Sequence, residues 1–161
     1  MAHETLTNET TGFPLRLYPP LWFAIFALTA LALDRLLPLS FDLPWLARPL
    51  ALLMAFGGGC LALWAALLFR RHHTTVHPYA EASRLVTRGP YRLTRNPMYV
   101  GLLLTLAAIG LWLQSFTALA LAPLFVFVIN RCNILPEERR LAAHFGEDYQ
   151  LYRMRTRRWL W

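Results

Sequence analysis

From Asn96 to Asn130 the chain runs 35 residues without a charged side chain. The hydrocarbon core of a bilayer is roughly 30 Å thick, and a helix rising about 1.5 Å per residue crosses it in about 20 apolar residues. The run is too long for one crossing and slightly short for two standard ones. Its polar interruption, Gln114 and Ser115, divides it into a tight antiparallel hairpin of residues 99–113 and 116–131, the second helix continuing toward Leu135. Two earlier apolar runs, 19–37 and 49–69, predict two preceding membrane helices. Asp34 and Arg35, near the end of the first, reach the interface or pair with each other. The expected fold is an all-α, polytopic integral membrane protein with about four crossings.

The composition agrees, 57% hydrophobic and 16% charged, well outside the mix of a soluble domain. All 16 basic residues are Arg, six between Arg70 and Arg95 and seven between Arg131 and Arg158, while only Arg48 sits between the first two apolar runs. The positive-inside rule puts both Arg-rich segments in the cytoplasm, together with both termini, in a bacterial inner membrane. Topology and anionic headgroups explain the net charge of +7 without nucleic acid. A single membrane domain follows: a polar tail (1–18), two transmembrane helices (19–69), a cytoplasmic loop (70–98), the hairpin (99–134) and a cytoplasmic C-terminal helix (135–161). The first twelve residues lack the basic start and short apolar core of a signal peptide. Cys60 and Cys132 are read as packing residues.

Gly57, Gly58 and Gly59 lie mid-helix, where glycine permits close backbone approach, so a helix crossing is expected there. The 70–98 loop is rich in Gly, Pro and Tyr and ends in the most informative segment of the chain. Gly89-Pro90 marks a turn, and Asn96-Pro97 starts the third membrane helix with proline at its first position. The N-terminus of that helix suits a carboxylate or phosphate, with Arg92 and Arg95 beside it. Tyr91 and Tyr99 offer rings for an adenine or a sulfonium cation. Beyond the hairpin, Leu135-Pro136-Glu137-Glu138 starts a new helix or bends the old one. Leu141, Phe145, Tyr149 and Tyr152 form an apolar stripe along it, interrupted at Gly146. The Arg-rich end with Trp159, Leu160 and Trp161 suits anchoring on the inner leaflet. His72, His73 and His77 approach metal-ligand spacing, but Pro78 and two Thr break a continuous helix there. They are read as interfacial, and no metal is expected.

The segment from Leu85 to Gly101, the Glu137-Glu138 pair and Phe145-Gly146-Glu147-Asp148-Tyr149 together closely resemble the isoprenylcysteine carboxyl methyltransferase family, in a wider group with the phospholipid N-methyltransferases. The resemblance spans roughly residues 83–158. It implies S-adenosylmethionine as cofactor, bound by the positions matching Ser83, Arg84, Leu85, Val86, Tyr91, Asn96, Pro97, Met98, Tyr99 and Glu137. Glu137 would hold the cofactor's amino group, and Asn96 with the helix-end amides its carboxylate. The acceptor side falls on Glu138, Arg131 and Asn133.

Two positions depart from the family pattern. Asn96 replaces a histidine, which keeps a hydrogen-bonding group but removes a titratable one. Asn133 replaces the arginine that faces the substrate carboxylate, and Arg131, two residues away, lies about 200° around the helix. The expected partners are membrane lipids and a lipophilic thiol, amine or carboxylate entering from the bilayer. The competing classes are an NADPH-dependent membrane reductase and a non-enzymatic accessory membrane subunit.

Overall fold

The computed structural model describes residues 17–43, 45–71 and 85–160. Ser83, Arg84, His72, His73 and His77 lie outside the described residues. Among the described residues six α-helices follow in order: α1 (Pro19–Leu36), α2 (Ala47–Arg71), α3 (Pro97–Trp112), α4 (Phe116–Leu119), α5 (Leu121–Ile129) and α6 (Leu135–Arg155). A 3₁₀ turn, Gly89–Arg92, precedes α3, and a π-turn, Asn130–Ile134, joins α5 to α6. The helices α1, residues 47–68 of α2 and the stretch beginning at Phe116 are long and apolar enough to cross a membrane. The apolar part of that last stretch ends where Pro136, Glu137, Glu138, Arg139 and Arg140 begin. Sixteen-residue α3 is a shorter apolar helix.

Proline sets several of these boundaries. α1 and α3 both begin with proline in the first turn, where its missing amide is harmless and its fixed φ suits the helix. Pro123 cannot donate to the Leu119 carbonyl and its ring crowds that oxygen, which accounts for the break between α4 and α5. Pro136 makes the same demand one crossing later. Here the chain neither stops nor starts a new helix; it inserts one π-turn, closed by the Leu135 amide donating to the Asn130 carbonyl, and continues into α6.

The tightest packing is between α2 and α3. A Cβ on Gly58 would lie 2.6 Å from the Gly101 carbonyl oxygen, and one on Gly101 would lie 2.8 Å from the Ala62 amide nitrogen. The two backbones therefore touch at the crossing expected from the glycine run. Only Gly58 supplies it, because a Cβ on Gly57 or Gly59 would meet nothing within 4 Å. α1 covers the other side of α3, with Phe26 edge-on to Phe125 at 5.3 Å, in a core that includes Ala30, Leu106, Leu121 and Ile129. Leu28, Leu53, Phe56 and Phe127 are exposed around the periphery, as side chains solvated by lipid tails would be.

The hairpin turn lies where Gln114 adopts a positive φ of 52° and Ser115 caps α4 by accepting from the Ala118 amide. This turn is clasped to the α1–α2 connection. The Phe41 amide donates to the Gln114 carbonyl (2.9 Å), the Phe116 amide to the Leu39 carbonyl (2.9 Å), and the Phe41 and Phe116 rings lie 4.9 Å apart.

Gly146 divides α6 as its sequence position suggests, with φ 52° and ψ −121°, a conformation that L side chains rarely adopt. Gly146→Ala is expected to cost about 1–3 kcal/mol by backbone strain alone, since a Cβ there would meet nothing within 4 Å. A thermal-unfolding comparison in detergent reads this directly.

Candidate active site

The segment before α3 is fixed from below by packing and from above by the C-terminal half of α6. Val86 and Tyr91 are buried against Ala65 of α2, with Leu68 and Met98 around them. Gly89 turns the chain with φ +60°, where an added Cβ would meet Trp64 and Leu68 at 3.4 Å. The Tyr91 carbonyl accepts from the Tyr152 hydroxyl at 2.7 Å, tying the 3₁₀ turn to α6. Burial, and then the Glu137 charge, hold the Tyr91 phenol well above its ordinary pKa.

Tyr99, one turn into α3 and 5% exposed, hydrogen-bonds the Glu137 carboxylate through its hydroxyl. This contact joins the start of α3 to the start of α6, two segments 38 residues apart in sequence. Loss of solvent, then the Glu138 charge, pushes the Glu137 pKa up from 4.5 to about 7, against the opposing effects of the Tyr99 hydrogen bond and Arg140. Such a carboxylate stands to gain from a cationic partner.

Tyr91, Tyr99 and Glu137 thus come together, with Val86 and Met98 packed around Tyr91 and Pro97 buried at the head of α3. Leu85 lies to one side, in the wall of an open cleft of about 660 Å³ shared with Arg92, Asp148, Tyr152 and Arg155. Asn96 is buried and turned inward, its side-chain amide donating to the Arg158 carbonyl (3.0 Å). Arg95 does not stand free beside the helix end; its guanidinium lies 3.3 Å from Glu138.

On the acceptor side the three residues separate. Asn133 is buried in the π-turn, donating from its amide nitrogen to the Leu17 carbonyl (3.0 Å), while its side-chain oxygen is buried without a partner. Arg131 is exposed. Glu138 is buried and held by the Arg158 guanidinium through two bonds of 3.0 and 2.6 Å.

The C-terminal segment folds back onto the site. Arg157 pairs with Thr94 as a short parallel bridge, the Arg95 amide donating to the Arg157 carbonyl at 2.8 Å. The Thr94 hydroxyl donates to the Arg158 carbonyl (2.8 Å), and Trp159, 5% exposed, donates from its indole nitrogen to Asn130 (3.1 Å). Thr94, Arg158 and Trp159 are the site residues that sequence reasoning missed, and Arg95, expected beside the helix end, is committed to Glu138. Residue identity gave one usable signal, an acidic pair in a chain whose arginines are otherwise explained by topology.

Apolar spans and a scaffold whose elements, among the described residues, are all helices make this an integral membrane protein of the polytopic all-α class. Residues 46–148, more than half of the chain, match the family model described as phospholipid methyltransferase, and the chain belongs to that family. Its general class is therefore that of a membrane methyltransferase. The chain is 43% identical over 63 residues to an uncharacterized protein of Haemophilus influenzae, a match covering 39% of this chain and all of that one. It is 34% identical over 121 residues to the cobalt-zinc-cadmium resistance protein CzcN of Cupriavidus metallidurans, covering 71% of this chain and 50% of the relative. No solved structure matches the chain.

Proposed function

We propose that the chain transfers a methyl group from S-adenosylmethionine to a lipophilic acceptor, at the end of the helical bundle that carries Glu137. The carrying observation is the partly buried Glu137 carboxylate, bonded to Tyr99 next to Tyr91. A donor bearing an ammonium and a sulfonium supplies the cations such a carboxylate and two phenol rings favour. When bound, this cofactor supplies an electrophilic methyl group: its S–CH₃ bond breaks as the acceptor's lone pair forms the new bond, leaving a thioether.

The protein's part is to hold, align and exclude water, and no triad is needed. Glu137 would bind the ammonium, and Tyr91 and Tyr99 would flank the cofactor. Asn133 commits one of its two amide hydrogens to Leu17 and carries no positive charge to pair with a carboxylate, so a thiol or amine acceptor suits the site better. The arginine distribution supports placing this end in the cytoplasm, with the acceptor entering sideways from the bilayer.

Isothermal titration of purified protein with S-adenosylmethionine, S-adenosylhomocysteine and NADPH tests the reading. Heat is expected from both S-adenosyl ligands and none from NADPH; the reverse pattern would replace the proposal with a reductase. Asn133→Arg is expected to leave cofactor affinity largely unchanged and to alter which acceptors are methylated, because it adds a cation at the acceptor side only.

A further inference from the structure

We propose that the C-terminal strap, Thr156–Trp159, is part of the site, and that Arg158 is a positioning residue that locks Glu138 against Arg95 and so presents Glu137 to Tyr99. The inference rests on the cofactor reading for its biological meaning, but its geometry stands apart from it.

The strap reaches both segments that build the site. Its backbone grips the approach to α3: the Arg157 carbonyl takes the Arg95 amide, and the Arg158 carbonyl takes both the Thr94 hydroxyl and the Asn96 amide group. Its side chains grip the π-turn and the start of α6, through Trp159 to Asn130 and Arg158 to Glu138. One residue, Arg158, therefore joins the head of α3 to the head of α6, the two elements that carry Tyr99 and Glu137.

A two-bond guanidinium–carboxylate pair fixes orientation as well as distance, which a single contact would not. Glu138 is one-tenth exposed and also meets Arg95 at 3.3 Å. Loss of Arg158 leaves a buried acid with one weaker partner, beside a second, partly buried acid. Glu137 is faced by Glu138 and Arg140 of its own helix, Tyr99 of α3 and Tyr91 of the 3₁₀ turn. Glu138 in turn is faced by Arg95, Arg158 and Tyr149.

The test is an infrared titration of the ligand-free protein, with the Glu137 carboxyl band identified by its loss in Glu137→Gln. Weakening the clamp with Arg158→Gln should move the Glu137 midpoint to higher pH, and removing the neighbouring charge with Glu138→Gln should move it to lower pH. Each shift should be about one pH unit, so that near pH 7 S-adenosylhomocysteine affinity falls about fivefold in Arg158→Gln and rises about twofold in Glu138→Gln. Arg158→Lys, which keeps the charge without the paired bonds, should fall between wild type and Arg158→Gln, and serves if the glutamine variant does not fold. Opposite shifts support the proposal. Unmoved midpoints, or shifts in the same direction, overturn it. Opposite shifts in a protein that binds no S-adenosyl ligand would keep the strap's role and remove the cofactor reading.

Discussion

Glu137→Gln is expected to lose about a hundredfold in S-adenosylmethionine affinity, yet to unfold at a higher temperature than the unaltered chain above pH 7. Both effects come from the same charge. The folded-state pKa near 7 lies above the ordinary value of 4.5, so the folded protein holds the proton more tightly than the unfolded chain. Stability contributed by this group is therefore greatest below pH 4.5, falls as pH rises toward about 7, and is level beyond it. Replacing the acid with a neutral amide removes that loss, on the order of 3 kcal/mol at pH 8. A cationic ligand acts in the opposite direction, stabilising the ionised carboxylate. Cofactor binding below pH 7 should accordingly release protons, measurable as a dependence of the titration heat on buffer ionisation enthalpy. Equal affinities for the two proteins would remove Glu137 from the cofactor site.

The second large effect is expected at Gly58, far from any charge. A single added methyl would meet the Gly101 carbonyl oxygen at 2.6 Å and the Thr105 hydroxyl at 2.8 Å. The first of these is backbone, which cannot rotate away, and Thr105 already donates to that same carbonyl. Gly58→Ala is expected to cost about 2–3 kcal/mol, and Gly58→Leu to prevent the native pairing of α2 with α3. Gly57→Ala and Gly59→Ala provide the contrast. Neither would meet an obstacle, and each should be neutral or gain up to about 1 kcal/mol of helix propensity. Thermal unfolding in detergent, with size-exclusion profiles, separates the three positions. Because α3 carries Tyr99, forcing α2 from α3 should also weaken the Tyr99–Glu137 contact and with it cofactor binding.

The membrane helices were legible because charge is costly in lipid, and its absence over 35 residues leaves few alternatives. The break at Gln114 and Ser115, the start at Pro97 and the crossing at the glycine run follow from equally local rules. The joining of Tyr91, Tyr99 and Glu137 was legible only through motif resemblance, since no periodicity links residues 38 positions apart. The strap was not legible. Two of its three strongest grips use the carbonyl oxygens of Arg157 and Arg158, which any residue possesses. The third uses an arginine that topology alone had already explained. The π-turn was equally hidden: Pro136 announces that a helix must yield, but not whether it stops, bends or inserts a residue.

The hairpin clasp gives the molecule a mechanical polarity. Strand-like bonds from Leu39 and Phe41 to Phe116 and Gln114, with two tilted rings packed beside them, make one end of the bundle a fixed pivot. The opposite end is held by side chains and a short tail, in which the Glu138–Arg158 pair can part without breaking any helix. Any opening of the Glu137 end would leave the helices joined at the clasp, as the jaws of a clothes peg stay joined at its spring. Admission and release of a bulky acceptor would then need only a small rotation about the clasp.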